Sequence, residues 1–92
     1  MRLPTARCWE LLRSAEHASL STLNADQAID AVPVCFAVVD QLIVSPVDDI
    51  KPKETTNLAR VRNLKRRPTA TLLCDHWDRD DWARLWWVRA RP

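Results

Sequence analysis

The order of elements readable in this chain predicts an α+β protein whose strands are antiparallel and compatible with a small barrel. Three observations carry that expectation. Helix-period apolar patterns open the chain and recur from Thr55 to Lys65. Period-two apolar runs lie between and after them. Short Asn- and Asp-bearing turns separate these runs.

Thr5 to Ala18 reads as the first helix, with Thr5 as its N-cap after Pro4. Trp9, Leu12 and Ala15 recur at helical spacing, and Cys8 and Leu11 widen the face. Ser19 to Leu23 reads as a short strand, followed by a turn at Asn24-Ala25-Asp26. Ile29 to Val39 is the clearest strand: Val32, Val34, Phe36 and Val38 share one face, and Ala31, Pro33, Cys35, Ala37 and Val39 the other. Both faces are apolar, which predicts burial on both sides. Pro33 cannot donate a ladder bond and belongs at a bulge or an edge. Asp40-Gln41 reads as a hairpin turn into a third strand, Leu42 to Val47, interrupted by Pro46.

The second helix, Thr55 to Lys65, carries Leu58, Val61 and Leu64 as its apolar stripe, with Arg60, Arg62, Asn63 and Arg67 pointing elsewhere. Pro68 stops it, because the residue before a proline disfavours the α region. Thr69 to Trp77 is the fourth strand, with Ala70, Leu72 and Cys74 alternating against Thr71, Leu73 and Asp75. Asp78 to Asp81 is a loop, and Leu85 to Arg89 begins a fifth strand.

With 92 residues the chain is one domain, 1–92. A chain of this size buries roughly 60–65% of its unfolded surface, enough for a small core. Net charge is only +2, yet charge is segregated: Arg60 to Arg67 holds five cations and no acid, and Asp75 to Asp81 four acids and one arginine. The near-neutral balance makes nucleic acid an unlikely partner. No apolar run approaches the ~18–20 residues of a membrane span. Cys8, Cys35 and Cys74 are odd in number, lie far apart and follow no signal peptide; they read as reduced, mostly buried thiols of a cytoplasmic protein. Glycine is absent, which excludes Walker-type and Rossmann-type phosphate loops.

Lys51-Pro52-Lys53 followed by Glu54-Thr55-Thr56 is the strongest site signal. Unsatisfied N–H groups and the positive dipole end of a helix, with lysines just ahead and a threonine hydroxyl, suit a phosphate. The same residues equally describe a solvated helix start. Arg60, Arg62, Lys65, Arg66 and Arg67 either extend that anion site or form a solvated face. Trp77, Trp82, Trp86 and Trp87 can stack on a flat ring, but core and interface packing is the commoner use. Trp86 and Trp87 are adjacent on a strand and face opposite sides. His76, between Asp75 and Trp77, is a weak catalytic candidate: a proton donor with Asp75 fixing its tautomer, or a structural histidine. Cys74-X-His76 lacks a second ligand pair, and Asp78, Asp80 and Asp81 lack the glycine and distal glutamate of a calcium loop, so no metal is expected. No serine or cysteine has a nucleophile's partner set.

The runs VDDIKPKETTNLARVRNLKRRPTATLLCDHW and DWARLWWVR resemble the pyridoxamine 5'-phosphate oxidase-like split-barrel superfamily, and within it the deazaflavin (coenzyme F-420)-dependent branch. The upstream ASLSTLNADQAIDAVPVCFAVVDQLIVSPVD is similar to that family's first three strands, so the likeness spans Ala15 to Arg89. It implies a six-stranded antiparallel split barrel, a homodimer, and a cofactor at the subunit interface, either coenzyme F-420 or FMN. It implies phosphate binding by Lys51 and Lys53, helped by Thr55 or Thr56. Backbone of Val32, Pro33 and Val34 and of Pro46, Val47 and Asp48 would flank the ring. The implied activity is hydride transfer between the cofactor and an unknown small organic substrate. Alternatives are an FMN flavoprotein of the same fold and a truncated, non-catalytic cofactor- or partner-binding module. Two departures stand out. Gln27 and Gln41 occupy turn positions where the family carries glycine, and the chain ends as the fifth strand begins, which predicts a barrel without its closing strand.

Overall fold

The computed structural model describes residues 2–45 and 59–91. Helix α1 (Thr5–Ser14) leads into strands β1 (His17–Leu23), β2 (Ile29–Cys35), β3 (Ala37–Val39) and β4 (Leu42–Val44). Helix α2 (Ala59–Arg66), β5 (Ala70–His76), a single 3₁₀ turn (Trp82–Arg84) and β6 (Trp86–Ala90) follow. The protein is α+β with antiparallel sheets: four strands in the order β2-β1-β5-β6, and a separate β3-β4 hairpin. Among the described residues the four-stranded sheet is open, with β2 and β6 at its edges, and no closed barrel forms.

Register sorts the side chains. Ala18↔Val34, Leu20↔Val32 and Leu20↔Leu72 lie on one face, continued by Cys74↔Val88. That inner face meets Leu11 and Leu12 of α1, and with Phe36 these buried residues make the core. Val38 and Ile43 of the hairpin pack against it. Truncating a leucine such as Leu12 to alanine in such a core costs about 2–5 kcal/mol.

Several expectations change. The helix begins at Thr5 itself, with Pro4 as an extended N-cap and no side-chain cap; Thr5 sits inside the first turn, and proline's fixed φ delivers the entry. The helix ends at Ser14 because Ala15 is extended, and the strand begins two residues before Ser19. The long strand from Ile29 splits at Phe36. Its N–H donates to Glu16 O at 3.0 Å as the last rung beside β1, and the chain then leaves the sheet for the hairpin. Burial on both faces is overturned: Ala31, Pro33 and Cys35 are exposed, because α1 and the hairpin cover only the inner face. Of the thiols only Cys74 is buried; Cys8 is half-buried and Cys35 exposed. Pro33 does lie on an edge strand, where a missing donor costs least.

Both hairpins close without glycine. Gln27 takes φ 65° and Asp40 φ 55°. At the first, the Asn24 side chain accepts from the N–H groups of Asp26 (2.9 Å) and Ala28 (3.1 Å), an Asx arrangement that holds the loop. At the second, the positive φ falls on Asp40, which tolerates it, and not on Gln41.

Candidate functional site

Lys51, Lys53, Thr55, Thr56, Pro46, Val47, Asp48 and Leu58 lie outside the described residues. What can be placed is the frame on either side of them. β4 ends at Val44, α2 occupies Ala59–Arg66, and Arg67 N–H closes the helix on Asn63 O at 2.8 Å. Across Pro68, Thr69 N–H donates to Arg67 O at 2.8 Å, a tight reversal that feeds β5. Of the other ring-flanking residues, Val34 is buried and Val32 half-buried on the inner face, and Pro33 is exposed. Among the described residues β2 has a strand neighbour on one side only. Along that strand Pro33 offers only its carbonyl.

The packing side of α2 differs from its apolar stripe. Val61 and Leu64 are half-buried, but Asn63 is the buried residue, 3% exposed. Its amide donates to Thr22 Oγ1 at 3.0 Å and Asp30 Oδ2 at 2.9 Å, and Asn24 donates to Asp30 Oδ1 at 3.1 Å. Thr22 is itself buried, and Thr22↔Asp30 is a register pair on the inner face. Among the described residues, polar groups at this end of the sheet dock the basic helix, and Val61 and Leu64 are buried less than Asn63. The hydrogen bonds from Asn63, then from Asn24, hold the Asp30 carboxyl below its ordinary range against a smaller opposing effect of desolvation. An asparagine in mid-helix is a poor helix former, and that was the available signal.

At the opposite end of the sheet, His76 pairs with Trp86 across β5 and β6, and their rings stack at 6.0 Å with planes 19° apart. Asp75 and His76 are successive strand residues and leave β5 on opposite faces, so Asp75 is not placed to fix the imidazole tautomer. Cys74, by contrast, is sealed in the core. Burial, with a smaller push from the Asp75 charge, raises its thiol pKa, and its Sγ donates to His17 O at 3.7 Å. It is an inert packing group.

The tryptophans mostly do not pack in the core. Trp86 is half-buried, whereas Trp77, Trp82 and Trp87 are 59%, 74% and 54% exposed. Trp77 and Trp82 tilt against each other at 6.3 Å, and the Arg89 guanidinium lies 5.5 Å from the Trp87 ring. The acidic loop is spent on turn-making. Asp78 Oδ1 accepts from the N–H groups of Asp80 and Asp81, and Asp81 caps the 3₁₀ turn through Ala83 N–H. Among the described residues no group of three or more His, Cys, Asp or Glu is placed to hold a metal ion. No helix there is long and apolar enough to cross a membrane.

No family model matches the chain, and no curated protein matches it. Solved structures do. A conserved hypothetical protein, Rv2991, from Mycobacterium tuberculosis superposes with a TM-score of 0.78 at 20% identity. The match covers 100% of this chain and 52% of that one. A second solved structure gives a TM-score of 0.73 at 22% identity, covering 98% of this chain and 60% of its own. The chain thus spans about half to three fifths of the length of these structures, and what it shares with them is the fold.

Proposed function

We propose that the chain is a cytoplasmic oxidoreductase of the pyridoxamine 5'-phosphate oxidase-like split-barrel type, acting as a homodimer with coenzyme F-420 on a small organic substrate. The observation that carries the reading is the order of chemistry along the chain: Lys51-Pro52-Lys53, a basic helix stopped by Pro68, and a strand ending Asp75-His76-Trp77. The folded order of β4, α2, the Pro68 reversal and β5 agrees with it. Lys51 and Lys53 hold the phosphate, with Thr55 or Thr56 adding a hydroxyl. Backbone of Val32–Val34 and of Pro46–Asp48 supports the ring, and His76 faces the substrate side. The bound coenzyme supplies the hydride chemistry; the chain binds it, orients it and keeps water from the ring.

A non-catalytic binding module is the second reading, favoured by the open four-stranded sheet. Equilibrium titration of the purified chain with coenzyme F-420 and with FMN separates the cases. Micromolar coenzyme F-420 binding with weaker FMN binding is expected. A yellow protein that retains FMN moves the assignment to the flavin, and binding of neither refutes the cofactor reading.

A further inference from the structure

The inner face of the sheet runs past the core at its His76 end. Cys74 and Val88 are buried; one register pair further on, the stacked His76 and Trp86 rings border a cleft of about 740 Å³. That volume falls among those of small-molecule sites, roughly 300–1,000 Å³, but the cleft is about half open to solvent. Leu11 of α1 and Leu85 ahead of β6 are among its apolar lining residues, and Arg7 and Arg84 also line it. We propose that this cleft binds a small flat aromatic acid, its ring against the His76–Trp86 stack and its anionic group on Arg7 and Arg84.

The chemistry of the lining selects that class. An indole stacked with an imidazole is a platform for a planar ring. A guanidinium presents several N–H donors in a fork that matches a carboxylate. Arg7 commits one nitrogen to Glu10 at 2.8 Å, and Arg84 lies 3.6 Å from Asp78. The first pair is exposed and the second joins an exposed arginine to a half-buried Asp78, and each arginine keeps donors for a second anion. Glu16 also lines the cleft and repels an acid, which favours the arginines as the place for the anionic group. The proposal shares His76 with the substrate side of the coenzyme reading, but its test needs no coenzyme, so the two can fail separately.

The test is a titration of 2-naphthoate into the isotope-labelled full chain, without coenzyme, followed by amide and indole N–H shifts. Saturable shifts at His76 and at the Trp86 indole are expected. The variant Arg7→Gln plus Arg84→Gln should weaken binding about tenfold or more, as loss of charge-assisted bonds does. Both side chains are exposed, so the fold is not at stake. Neutral 2-naphthol should bind more weakly, and Trp87→Ser, on the other face, should bind normally. Equal affinity in the double variant, equal affinity for 2-naphthol, or shifts centred on Leu73 and Trp87 would each overturn the proposal. So would the absence of saturation up to about 10 mM, beyond any useful affinity.

Discussion

Asn63 shows how one polar side chain positions an element. It is buried between α2 and the sheet, and its amide serves both Thr22 and Asp30. Asn63→Ala leaves Thr22 in a buried site without its donor, and such a loss costs about 1–3 kcal/mol. Chemical denaturation should show that drop, with Val61→Ala on the half-buried stripe costing less. The acid limb should change as well. Asp30 has a folded pKa below its ordinary 3.8, so its ionised form stabilises the fold above that value, and the contribution is lost as pH falls through the folded pKa. Removing Asn63 removes the largest cause of the lowering. The variant should therefore lose less of its remaining stability below pH 3.8 than the parent does, read from unfolding midpoints across that range. An acid limb of unchanged steepness would mean that Asp30 does not feel Asn63. None of this was visible from spacing, because the stripe of Leu58, Val61 and Leu64 points to an apolar contact and gives Asn63 no partner.

At the scale of elements, strands were legible and their layers were not. Alternation at Ala70, Leu72 and Cys74 identified the inward face of β5, and Pro33 identified an edge, since both follow from local geometry. The apolar second face of β2 was misleading: Ala31, Pro33 and Cys35 are exposed because no layer among the described residues covers them, and layer number is not a local property. The turns illustrate a related point. Lack of glycine did not prevent hairpins; Asn24 organises one, and Asp40 and Gln27 accept positive φ. The two positions differ in strain, because Asp visits the left-handed region more readily than Gln. Gln27→Gly should stabilise by about 0.5–1 kcal/mol, the relief exceeding glycine's entropic cost. In a domain of this size each 1 kcal/mol raises Tm by about 4–8 °C. Asp40→Gly should give a smaller rise. A fall in Tm for Gln27→Gly would show that the loop is not strained there.

For the whole molecule, the outer face of the four-stranded sheet is the main unsettled surface. Leu73 is 41% and Trp87 54% exposed there, and Ala31 and Pro33 lie on the same face across β1. Exposed apolar surface of this kind marks association, which fits the proposed homodimer. Sedimentation should give a dimer for the parent and a shift toward monomer for Leu73→Ser plus Trp87→Ser; a parent that stays monomeric at all concentrations contradicts the dimer. The candidate phosphate site was legible as sequence, in Lys51-Pro52-Lys53 ahead of a helix, while its geometry lies outside the described residues. The cleft at His76 was not legible, because it depends on α1, β5 and β6 meeting at one end of the sheet. The central claim is that this chain binds a phosphate-bearing deazaflavin through those lysines. The most direct measurement is a fluorescence titration of coenzyme F-420 into the parent chain and into Lys51→Ala plus Lys53→Ala. Micromolar binding by the parent and a loss of about tenfold or more in the variant is the result predicted. Equal affinity in the two proteins, or no binding by the parent, would contradict it.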